Sequence, residues 1–560
     1  MVLSDRSRWT VREVALCRLA SHRNRPFVSD FDGLTQTYGE FIGSGARIAN
    51  ALAELGIQRG ATVAILCAAR LPHLHAWLGC GLLGATEVPI NPALRGEALR
   101  HILRIAAPAV AVVEADLLPC LAEAHHDVGC LRDIIVVGGE GHSAGPGERV
   151  IRITSYEGIL AIGSSAIPEA SVVPAAIGSV MFTSGTTGPA KGVSMPNGQL
   201  CLMALQVIDA VKLEDSDIFY CAHPLNHIAG KYMGVFASFA AGGRIALDAR
   251  FDATRWLDRI RESRATLSIA HGPMIEMIAN QPPRREDRCH SLHRLMCCPI
   301  PKHLAAGFEE RFGVKGIEMW GMTEIGCPTW TPIDGLRVAG SCGRLISSQY
   351  ELRIVTPDND EEVPPNTTGE IVVRPCVPST IMQGYLGMPE ETVSAWKNLW
   401  FHTGDAGYVD GDGNLFFVDR LKERIRRRAE NISAYDIEVA AASFPHVREA
   451  AAVGVPSGFE ADDDIKLCVV PDGSLDPGRL IGFLAKRLPP FMLPRYIEIL
   501  EALPRTPTNK IRKRELSSTG VPAGTWDRNR EGVKLRDLYR DSDEGEALTG
   551  NSGASTNTYS

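Results

Sequence analysis

The sequence predicts an α/β protein with a large N-terminal part and a small second domain. Helical and strand-like patterns alternate through most of the first four hundred residues, which is typical of layered α/β architecture with largely parallel sheets. After Asp419 the residue pattern changes to a basic and then amphipathic run, RLKERIRRRAENISAYDIEVAAAS. A chain of 560 residues is also too long for one compact core, so more than one domain is expected.

The clearest helix and strand patterns lie in the first half of the chain. Residues 38–56, YGEFIGSGARIANALAELG, carry apolar residues at helical spacing and close on a glycine. RGATVAILCA (59–68) then predicts a short buried strand, and HLHAWLGCGLLGA (73–85) a second helix. The strand pattern returns at RIALDA (244–249) and ATLSIA (265–270), with another helix between them.

The part beyond Asp419 is predicted to form a small domain of its own. The strand-like EAAAVGVP and DIKLCVV are followed by the helical GRLIGFLAKRL, and about a hundred residues lie within the normal size of a domain. From residue 523 the chain turns polar and ends DEGEALTGNSGASTNTYS, a composition typical of a disordered tail. We therefore divide the chain into residues 1–419, 420–522 and 523–560.

Composition and charge exclude several classes of protein. With 45% hydrophobic and 22% charged residues, the chain is neither collagen-like nor disordered overall. A net charge of −8 argues against a nucleic-acid partner and suits a protein of the cytoplasm. The N-terminus lacks the apolar core of a secretory signal. The most apolar stretch, residues 77–90, is too short and too rich in glycine to span a bilayer.

The strongest local motif is MFTSGTTGPAKG at residues 181–192, which predicts a phosphate-binding loop. Glycines let a backbone approach an anion, hydroxyls donate hydrogen bonds to its oxygens, and a lysine adds positive charge. It is not a Walker A loop, because two residues separate Lys191 from Gly188 and no Ser or Thr follows the lysine. A flexible turn is the structural alternative.

Further motifs follow this loop in order along the chain. They are HPLNHIAG (223–230), MWGMTEIG (319–326), TGE (368–370), WFHTGDAGYVDGDGNLFFVDR (400–420), LKERIRRRAENISAYDIE (421–438) and LPRTPTNKIRKREL (503–516). Together with the loop they resemble the signature of the adenylate-forming superfamily, which contains acyl-CoA synthetases, adenylation domains and firefly luciferase. Within it, RIRRRAENISAYDIE and the late AGTWDRNREGVKLRDLYR are most similar to the crotonobetaine/carnitine-CoA ligase branch.

The resemblance implies an enzyme that joins a small carboxylic acid to coenzyme A. The acid would react with ATP, in the presence of Mg²⁺, to give acyl-AMP and pyrophosphate, and CoA would then take the acyl group and release AMP. It also implies a large N-terminal domain of layered α/β subdomains and a small α+β C-terminal domain that rotates between the two half-reactions. A homodimer is left open.

The resemblance assigns nucleotide contacts to the loop and to MWGMTEIG. The phosphates and the departing pyrophosphate would be held by the loop residues Thr183, Ser184, Gly185, Thr186, Thr187, Gly188 and Lys191. Thr323 would contact the α-phosphate, and Glu324 would bind Mg²⁺, which prefers oxygen ligands. Trp320, followed by Gly321, would stack on adenine. A helix cap is the structural alternative for the Thr-Glu pair.

The remaining implied residues lie in HPLNHIAG and beyond residue 400. His227 belongs to the acyl-pocket motif, and Asp405 would accept hydrogen bonds from the ribose hydroxyls with help from Arg420. Lys422 stands at the hinge before the small domain. Lys510 would reach the carboxylate and the α-phosphate and neutralise charge in the adenylation step. A turn aspartate and a solvated surface lysine are the structural alternatives for Asp405 and Lys510.

Several residues bear on the substrate and on the second half-reaction. Ala429 stands where a glycine normally opens a turn near the pantetheine channel, so its methyl group could crowd that channel. The expected pocket segments contain the polar residues His223, Asn226, His227, Lys231 and His271. These favour a short or functionalised acid over a long fatty chain, which would need a uniformly apolar tunnel. The alternative is that several of them point away from the pocket.

Two other functions remain open at this stage. One is a stand-alone adenylation enzyme that loads a carrier protein. The other is a non-catalytic acyl- or nucleotide-binding relative. Six intact motif residues argue against the second: Lys191, Thr323, Glu324, Asp405, Arg420 and Lys510.

Overall fold

The structure is a computed structural model that describes most of the chain. Described are residues 2–68, 71–126, 128, 130–140, 143–144, 151–183, 190–298, 300–302, 304–335, 337–420, 425–427, 430–432, 434–457, 463–488, 490–505, 511–535 and 538. Only the backbone is described for residues 2, 125, 126, 143, 144, 273, 419, 420, 426, 427, 430, 431, 435, 436 and 491. The chain packs into two compact units, residues 1–403 with 407–417, and residues 404–406 with 418–560.

Helices cover much of both units. The α-helices of the described residues are α1 Val11–His22, α2 Tyr38–Glu54, α3 Leu71–Leu83, α4 Gly96–Ala106, α5 Leu118–His126, α6 Tyr156–Ile162, α7 Asn197–Val211, α8 Ala237–Ala241, α9 Trp256–Ser263, α10 Gly272–Ala279, α11 Ala305–Phe312, α12 Pro389–Ala395, α13 Ala434–Ala442, α14 Pro477–Ala485 and α15 Lys513–Ser518. A π-helix spans Ala229–Phe236 and leads directly into α8.

Strands alternate with these helices. They are β1 Pro26–Asp30, β2 Thr35–Thr37, β3 Thr62–Leu66, β4 Thr86–Pro89, β5 Val110–Glu114, β6 Asp133–Val137, β7 Ser143–Ala144, β8 Ile151–Ser155, β9 Ile177–Thr183, β10 Lys191–Pro196, β11 Ile218–Cys221, β12 Arg244–Leu247, β13 Leu267–His271, β14 Arg294–Cys298, β15 Lys315–Met322, β16 Gly326–Trp330, β17 Arg344–Leu345, β18 Tyr350–Val355, β19 Gly369–Pro375, β20 Gly384–Tyr385, β21 Trp396–Lys397, β22 Trp400–Val409, β23 Leu415–Arg420, β24 Ile425–Arg427, β25 Glu430–Ile432, β26 Val447–Pro456, β27 Asp463–Pro471, β28 Tyr496–Ile499 and β29 Trp526–Asp527.

Two large sheets form the frame of the first unit. The first has the order β17-β16-β15-β14-β13-β11-β12-β1-β2, and its strands from β15 to β1 run parallel. The second has the order β20-β10-β9-β4-β3-β5-β6-β8-β7, with β9 to β8 parallel and β10 antiparallel to β9. A smaller sheet has the order β18-β19-β22-β21. The predicted layered α/β architecture with largely parallel sheets is confirmed.

Helices α2 and α3 form where the sequence predicts helices, and their cap and packing contacts explain why. Thr37 caps α2, because its hydroxyl accepts a hydrogen bond from the Glu40 N–H at 3.2 Å while the Glu40 carboxylate accepts one from the Thr37 N–H at 2.8 Å. The apolar face of α2 packs on α3, whose sequence is apolar nearly all round. A Cβ on Gly45 would lie 2.7 Å from the Leu78 side chain, so this glycine permits the close approach of the two helices.

The second unit has a core of its own, built on the sheet β26-β27-β28-β29. Its predicted elements are confirmed, since EAAAVGVP lies in β26, DIKLCVV in β27 and GRLIGFLAKRL largely in α14. The tail expected from residue 523 does not begin there. Trp526 packs on this core from β29, which pairs with β28, and Asp527 forms an ion pair with Arg495 at 3.4 Å. Val533, Leu535 and Leu538 pack on the same core, so part of this polar stretch belongs to the second unit.

Candidate functional site

The carboxyl edge of the first sheet brings several of the predicted site residues together. The parallel strands β15, β14, β13 and β11 are neighbours and end at the same edge. His271 at the end of β13 pairs in register with Cys298 at the end of β14. His223 follows β11 by two residues, and Thr323 directly follows β15. In open α/β sheets ligands bind at this edge, because loops there leave a crevice beyond the strand ends.

The Thr323–Glu324 turn is fixed from behind by α7. The Gln199 amide donates hydrogen bonds to the carbonyl oxygens of Thr323 at 2.9 Å and Glu324 at 3.0 Å. The Met382 N–H also donates to the Glu324 carbonyl, at 2.8 Å. Gly321, just before the turn, lies so close to the next strand that a Cβ there would be 2.0 Å from the Gly326 oxygen. The two predicted side chains therefore sit on a rigid backbone.

A tyrosine that the sequence motifs did not mark joins Glu324 to Lys191. The Tyr385 hydroxyl donates a hydrogen bond to Glu324 Oε1 at 3.0 Å, and the Lys191 ammonium lies over the Tyr385 ring, 4.9 Å from its centroid. Tyr385 reaches this position because β20 pairs with β10, with Val193 opposite Tyr385. Residues from the ends of two different sheets thus meet around one aromatic ring.

Lys191 also forms an ion pair with Glu391 on α12. Its ammonium group therefore faces an anionic oxygen, which is the kind of group that a nucleotide phosphate presents. Glu391 was not predicted from the sequence. The one local signal for it is the run PEET, which is typical of a helix N-terminus but says nothing of a lysine two hundred residues away.

Tyr385→Phe tests whether this hydroxyl positions Glu324. The ring over Lys191 stays, and one hydrogen bond to a carboxylate is lost, a change of about 1.5–3 kcal/mol for a charged acceptor. We expect the KM for Mg-ATP to rise about tenfold while the KM for the acid stays within twofold. Steady-state kinetics measure both, with Tyr220→Phe, which removes a comparable bond to Asp248, as the control for general destabilisation. An unchanged KM for Mg-ATP would contradict the positioning role.

The central part of the phosphate loop lies outside the described residues. The phosphate contacts expected of Ser184, Gly185, Thr186, Thr187 and Gly188 therefore stay predictions. Thr183 ends β9 and Lys191 begins β10, and these two residues pair in register. The loop thus joins two antiparallel neighbours of the second sheet.

The predicted aromatic and carboxylate residues of the nucleotide site are both buried. Trp320, which is 6% exposed, lies on β15 opposite Thr329. Asp405, which is 4% exposed, lies on β22. Arg420 ends β23, where only its backbone is described. Lys422, Ala429 and Lys510 lie outside the described residues, so their roles stay predictions.

The three predicted pocket histidines form a cluster. The rings of His223 and His271 lie 4.8 Å apart between centroids, and those of His227 and His271 5.9 Å apart, each pair edge to face. The His227 Nδ1 accepts a hydrogen bond from the Ala229 N–H at 3.2 Å, which leaves the ring proton on Nε2. Asn226 is partly exposed beside them in sequence.

Lys231 does not belong with these histidines as a pocket residue. Its side chain is 0% exposed, and its ammonium forms an ion pair with Glu87 Oε2 at 2.5 Å. Glu87 Oε1 accepts further hydrogen bonds from the hydroxyls of Tyr232 at 2.6 Å and Ser179 at 3.0 Å. A buried charge needs such partners, so for Lys231 the alternative holds that some of these polar residues point away from the pocket.

His402, three residues before Asp405, is a pH-dependent element of the same motif. Its Nδ1 donates to Glu370 Oε2 at 3.0 Å, and its Nε2 lies 3.7 Å from Asp360 Oδ2. The hydrogen bond to Glu370 raises the pKa of His402, against the opposing effect of burial. A histidine pKa raised by folding stabilises the protein below about pH 6.5, and this stabilisation is lost as the pH rises through the folded-state value.

We therefore expect His402→Gln to lower the thermal midpoint most at about pH 5.5–6.5 and progressively less toward pH 9. Glutamine keeps a donor but cannot gain the proton. Thermal unfolding across this pH range measures the effect, with the exposed His293→Gln as control. A midpoint difference that is constant with pH, or that grows with pH, would contradict the ion-pair account.

No helix within the described residues is both long and apolar enough to cross a membrane.

Comparison with known proteins identifies the family. The model of the AMP-binding enzyme family matches residues 17–386, and that of the AMP-binding enzyme C-terminal domain matches residues 436–510. Feruloyl-CoA synthase of an Amycolatopsis species is 32% identical over 86% of this chain and 94% of that protein. Indoleacetate–CoA ligase of Aromatoleum aromaticum is 31% identical over 85% and 92%. Crotonobetaine/carnitine–CoA ligase of Salmonella paratyphi C is 30% identical over 84% and 90%.

Solved structures share the fold. ATP-bound MatB from Rhodopseudomonas palustris superposes with a TM-score of 0.82 at 24% identity, over 91% of this chain and 99% of that one. The anthranilate CoA ligase AuaEII in complex with anthranoyl-AMP superposes with a TM-score of 0.82 at 22% identity, over 93% and 99%. The predicted superfamily and fold class are confirmed, and the crotonobetaine/carnitine branch is among the relatives. The chain therefore belongs to the AMP-binding enzyme family and is an AMP-forming acyl-CoA synthetase.

Proposed function

We propose that this enzyme activates a short or functionalised carboxylic acid by way of an acyl-AMP intermediate. A carboxylate oxygen of the acid attacks the α-phosphorus of ATP, and the bond to the bridging oxygen breaks to release pyrophosphate. The CoA thiol, losing its proton, then attacks the acyl carbon, and AMP leaves with the oxygen that came from the acid. The observation that carries the proposal is the meeting of Lys191, Tyr385 and Glu324 at the ends of two sheets.

Lys191 is proposed to hold the phosphates of ATP together with the loop that precedes it. Support comes from its pairing with the Glu391 carboxylate, because a nucleotide phosphate would replace one anionic partner by another. Thr183, which pairs with Lys191 across β9 and β10, sets where the loop leaves the sheet. Ser184 to Gly188 complete this clamp in the proposal.

Thr323 and Glu324 are proposed to face the α-phosphate and Mg²⁺. The donor chemistry fits, since a carboxylate oxygen is the ligand that Mg²⁺ prefers and Tyr385 orients this carboxylate. When bound, Mg²⁺ would neutralise charge on the phosphate oxygens. The bonds from Gln199 to the backbone of the turn keep Thr323 and Glu324 from shifting as charge develops.

The remaining roles follow the family motifs. Trp320 with Gly321 would contact adenine, Asp405 and Arg420 the ribose, and His227 the acyl group. Lys422 would act as the hinge and Lys510 as the catalytic lysine of adenylation. Location in the cytoplasm and homodimer formation stay predictions of the sequence.

The substrate class rests on the histidine cluster and on the relatives. Three imidazole rings beside the strand ends suit a polar or aromatic acid better than a long alkyl chain. The relatives named for ferulate, indoleacetate and crotonobetaine or carnitine likewise carry names of functionalised acids. Because Lys231 is buried against Glu87, its charge gives little attraction for a second carboxylate on the substrate.

A panel of acids tests this proposal. Pyrophosphate release is measured with ATP, Mg²⁺ and CoA against short aliphatic, dicarboxylic, aromatic and long-chain acids, with the CoA-free reaction run in parallel. We expect CoA-dependent AMP formation with aromatic or short functionalised acids. Preference for palmitate would contradict the substrate class. If acyl-AMP is converted to AMP only when a carrier protein is added, the result would favour the carrier-loading alternative.

A further inference from the structure

The cluster of His223, His227 and His271 lies where the acid is expected to bind. No role has yet been given to His223 and His271. The acyl-pocket motif HPLNHIAG (223–230) is built around His227, and its first residue, His223, has no role implied by the resemblance. His223 follows β11, and His271 ends β13, the next strand of the sheet. Two extra imidazoles at neighbouring strand ends therefore project from the edge that carries Thr323.

His223 is the buried member of the cluster. It is 4% exposed, and among the described residues no protein group hydrogen-bonds either of its ring nitrogens. Leaving a buried polar group unsatisfied is destabilising, so such groups normally have a partner. Its neighbours His227 and His271 are partly exposed, so the buried ring lies just behind an accessible face.

The cluster is suited to an uncharged group. Burial, reinforced by His271 and His227, holds the pKa of His223 well below its ordinary value, so this ring is neutral at neutral pH. A neutral imidazole offers one donor and one acceptor, which is the complement of a hydroxyl group. The two segments that contain these histidines are residues 223–234 and 268–277, and Lys231 is the one Lys or Arg in them. Because Lys231 forms an ion pair with Glu87, neither segment offers a second carboxylate a cation.

We infer that His223, with His227 and His271 beside it, forms a subsite that hydrogen-bonds a hydroxyl substituent of the acid. The inference rests on the proposed acyl-CoA synthetase function and narrows its substrate class. His223 thereby becomes a specificity-determining residue. An acid without a hydroxyl group would leave the nitrogens of His223 without hydrogen bonds in the complex. Binding of such an acid is therefore weaker than binding of its hydroxylated counterpart.

The test uses matched sets of acids in the first half-reaction alone. ATP–pyrophosphate exchange is measured with benzoic, cinnamic and butanoic acids and with their hydroxylated and carboxylated counterparts. The wild type is expected to favour a hydroxylated acid over its unsubstituted parent by about ten- to a hundredfold in kcat/KM, and to reject the dicarboxylic member. His223→Leu is expected to bring the ratio to about one while keeping exchange with the parent acid.

Two further variants guard against a purely structural effect. His223→Asn keeps hydrogen-bonding atoms and is expected to retain part of the selectivity for the hydroxylated acid. If the leucine variant does not fold, the asparagine variant is compared with wild type instead. His75→Leu removes a buried histidine whose nitrogens bond to Tyr156 and Gln36. It is expected to lower the thermal midpoint without changing the ratio.

The outcomes separate the inference from the function. An unchanged ratio in His223→Leu, or a wild type that favours the unsubstituted or dicarboxylic acid, would overturn the subsite. No exchange by the wild type with any carboxylic acid would overturn the proposed function and the subsite with it.

Discussion

Lys510→Ala is expected to lower acyl-AMP formation by about a hundred- to a thousandfold, the usual effect of removing one group that neutralises transition-state charge. Thioester formation from supplied acyl-AMP should stay within about threefold of wild type. The reason is chemical: charge builds between carboxylate and α-phosphate only in the first half-reaction. The second half-reaction starts from a neutral acyl carbon and a thiolate.

The two half-reactions are measured separately for this variant. Pyrophosphate exchange reports the first, and CoA-dependent release of AMP from synthetic acyl-AMP reports the second. Lys486→Ala is the matched control, since Lys486 is an exposed lysine at the end of α14 in the same unit. Equal losses of rate in both half-reactions would contradict the role of Lys510 as the catalytic lysine of adenylation.

Glu324→Gln should reduce adenylation by about a hundredfold and raise the Mg²⁺ concentration needed for half-maximal rate. The amide keeps the shape of the side chain and an oxygen that can still accept from Tyr385, so packing of this 9%-exposed residue is preserved. What is lost is the negative charge. A metal ligand and a purely structural carboxylate therefore differ in the Mg²⁺ dependence.

Glu318→Gln provides the control for Glu324→Gln. Glu318 lies on β15, six residues before Glu324, and burial raises its pKa to about 7, against the opposing effect of Arg337. Glutamine resembles its protonated form, so this variant should keep the Mg²⁺ dependence of wild type. A Glu324→Gln enzyme with normal rate at low Mg²⁺ would show that Glu324 is not a metal ligand.

The elements that the sequence predicted well are those whose signal is local. Helix α2 carries its cap, its periodicity and its closing glycine within twenty residues. β13 and β26 are short apolar runs with turn residues close by. The sequence singles out Thr323 and Lys191 as candidate site residues because each lies in a distinctive local motif. Their placement at the ends of two sheets agrees with the layered architecture that the alternation of patterns indicated.

What the sequence could not reveal depends on partners far apart in the chain. Lys231 was taken for a pocket residue, and its burial against Glu87 joins residues 144 positions apart. Tyr385 reaches Glu324 across 61 positions, through the pairing of β20 with β10. Trp526 lies in a polar run that has no periodicity, and its packing on the second core and its pairing with β28 are visible only in the structure. None of these contacts leaves a pattern in the residues next to it.

The most direct test of the acyl-AMP route follows the oxygen atoms of the acid. An accepted acid labelled with ¹⁸O in both carboxylate oxygens is converted with ATP, Mg²⁺ and CoA, and the products are analysed by mass spectrometry. We predict one ¹⁸O atom in AMP, one in the thioester carbonyl and none in pyrophosphate, because AMP departs with the oxygen that attacked the α-phosphorus. Label in inorganic phosphate together with ADP, or AMP without label, would contradict the acyl-AMP intermediate.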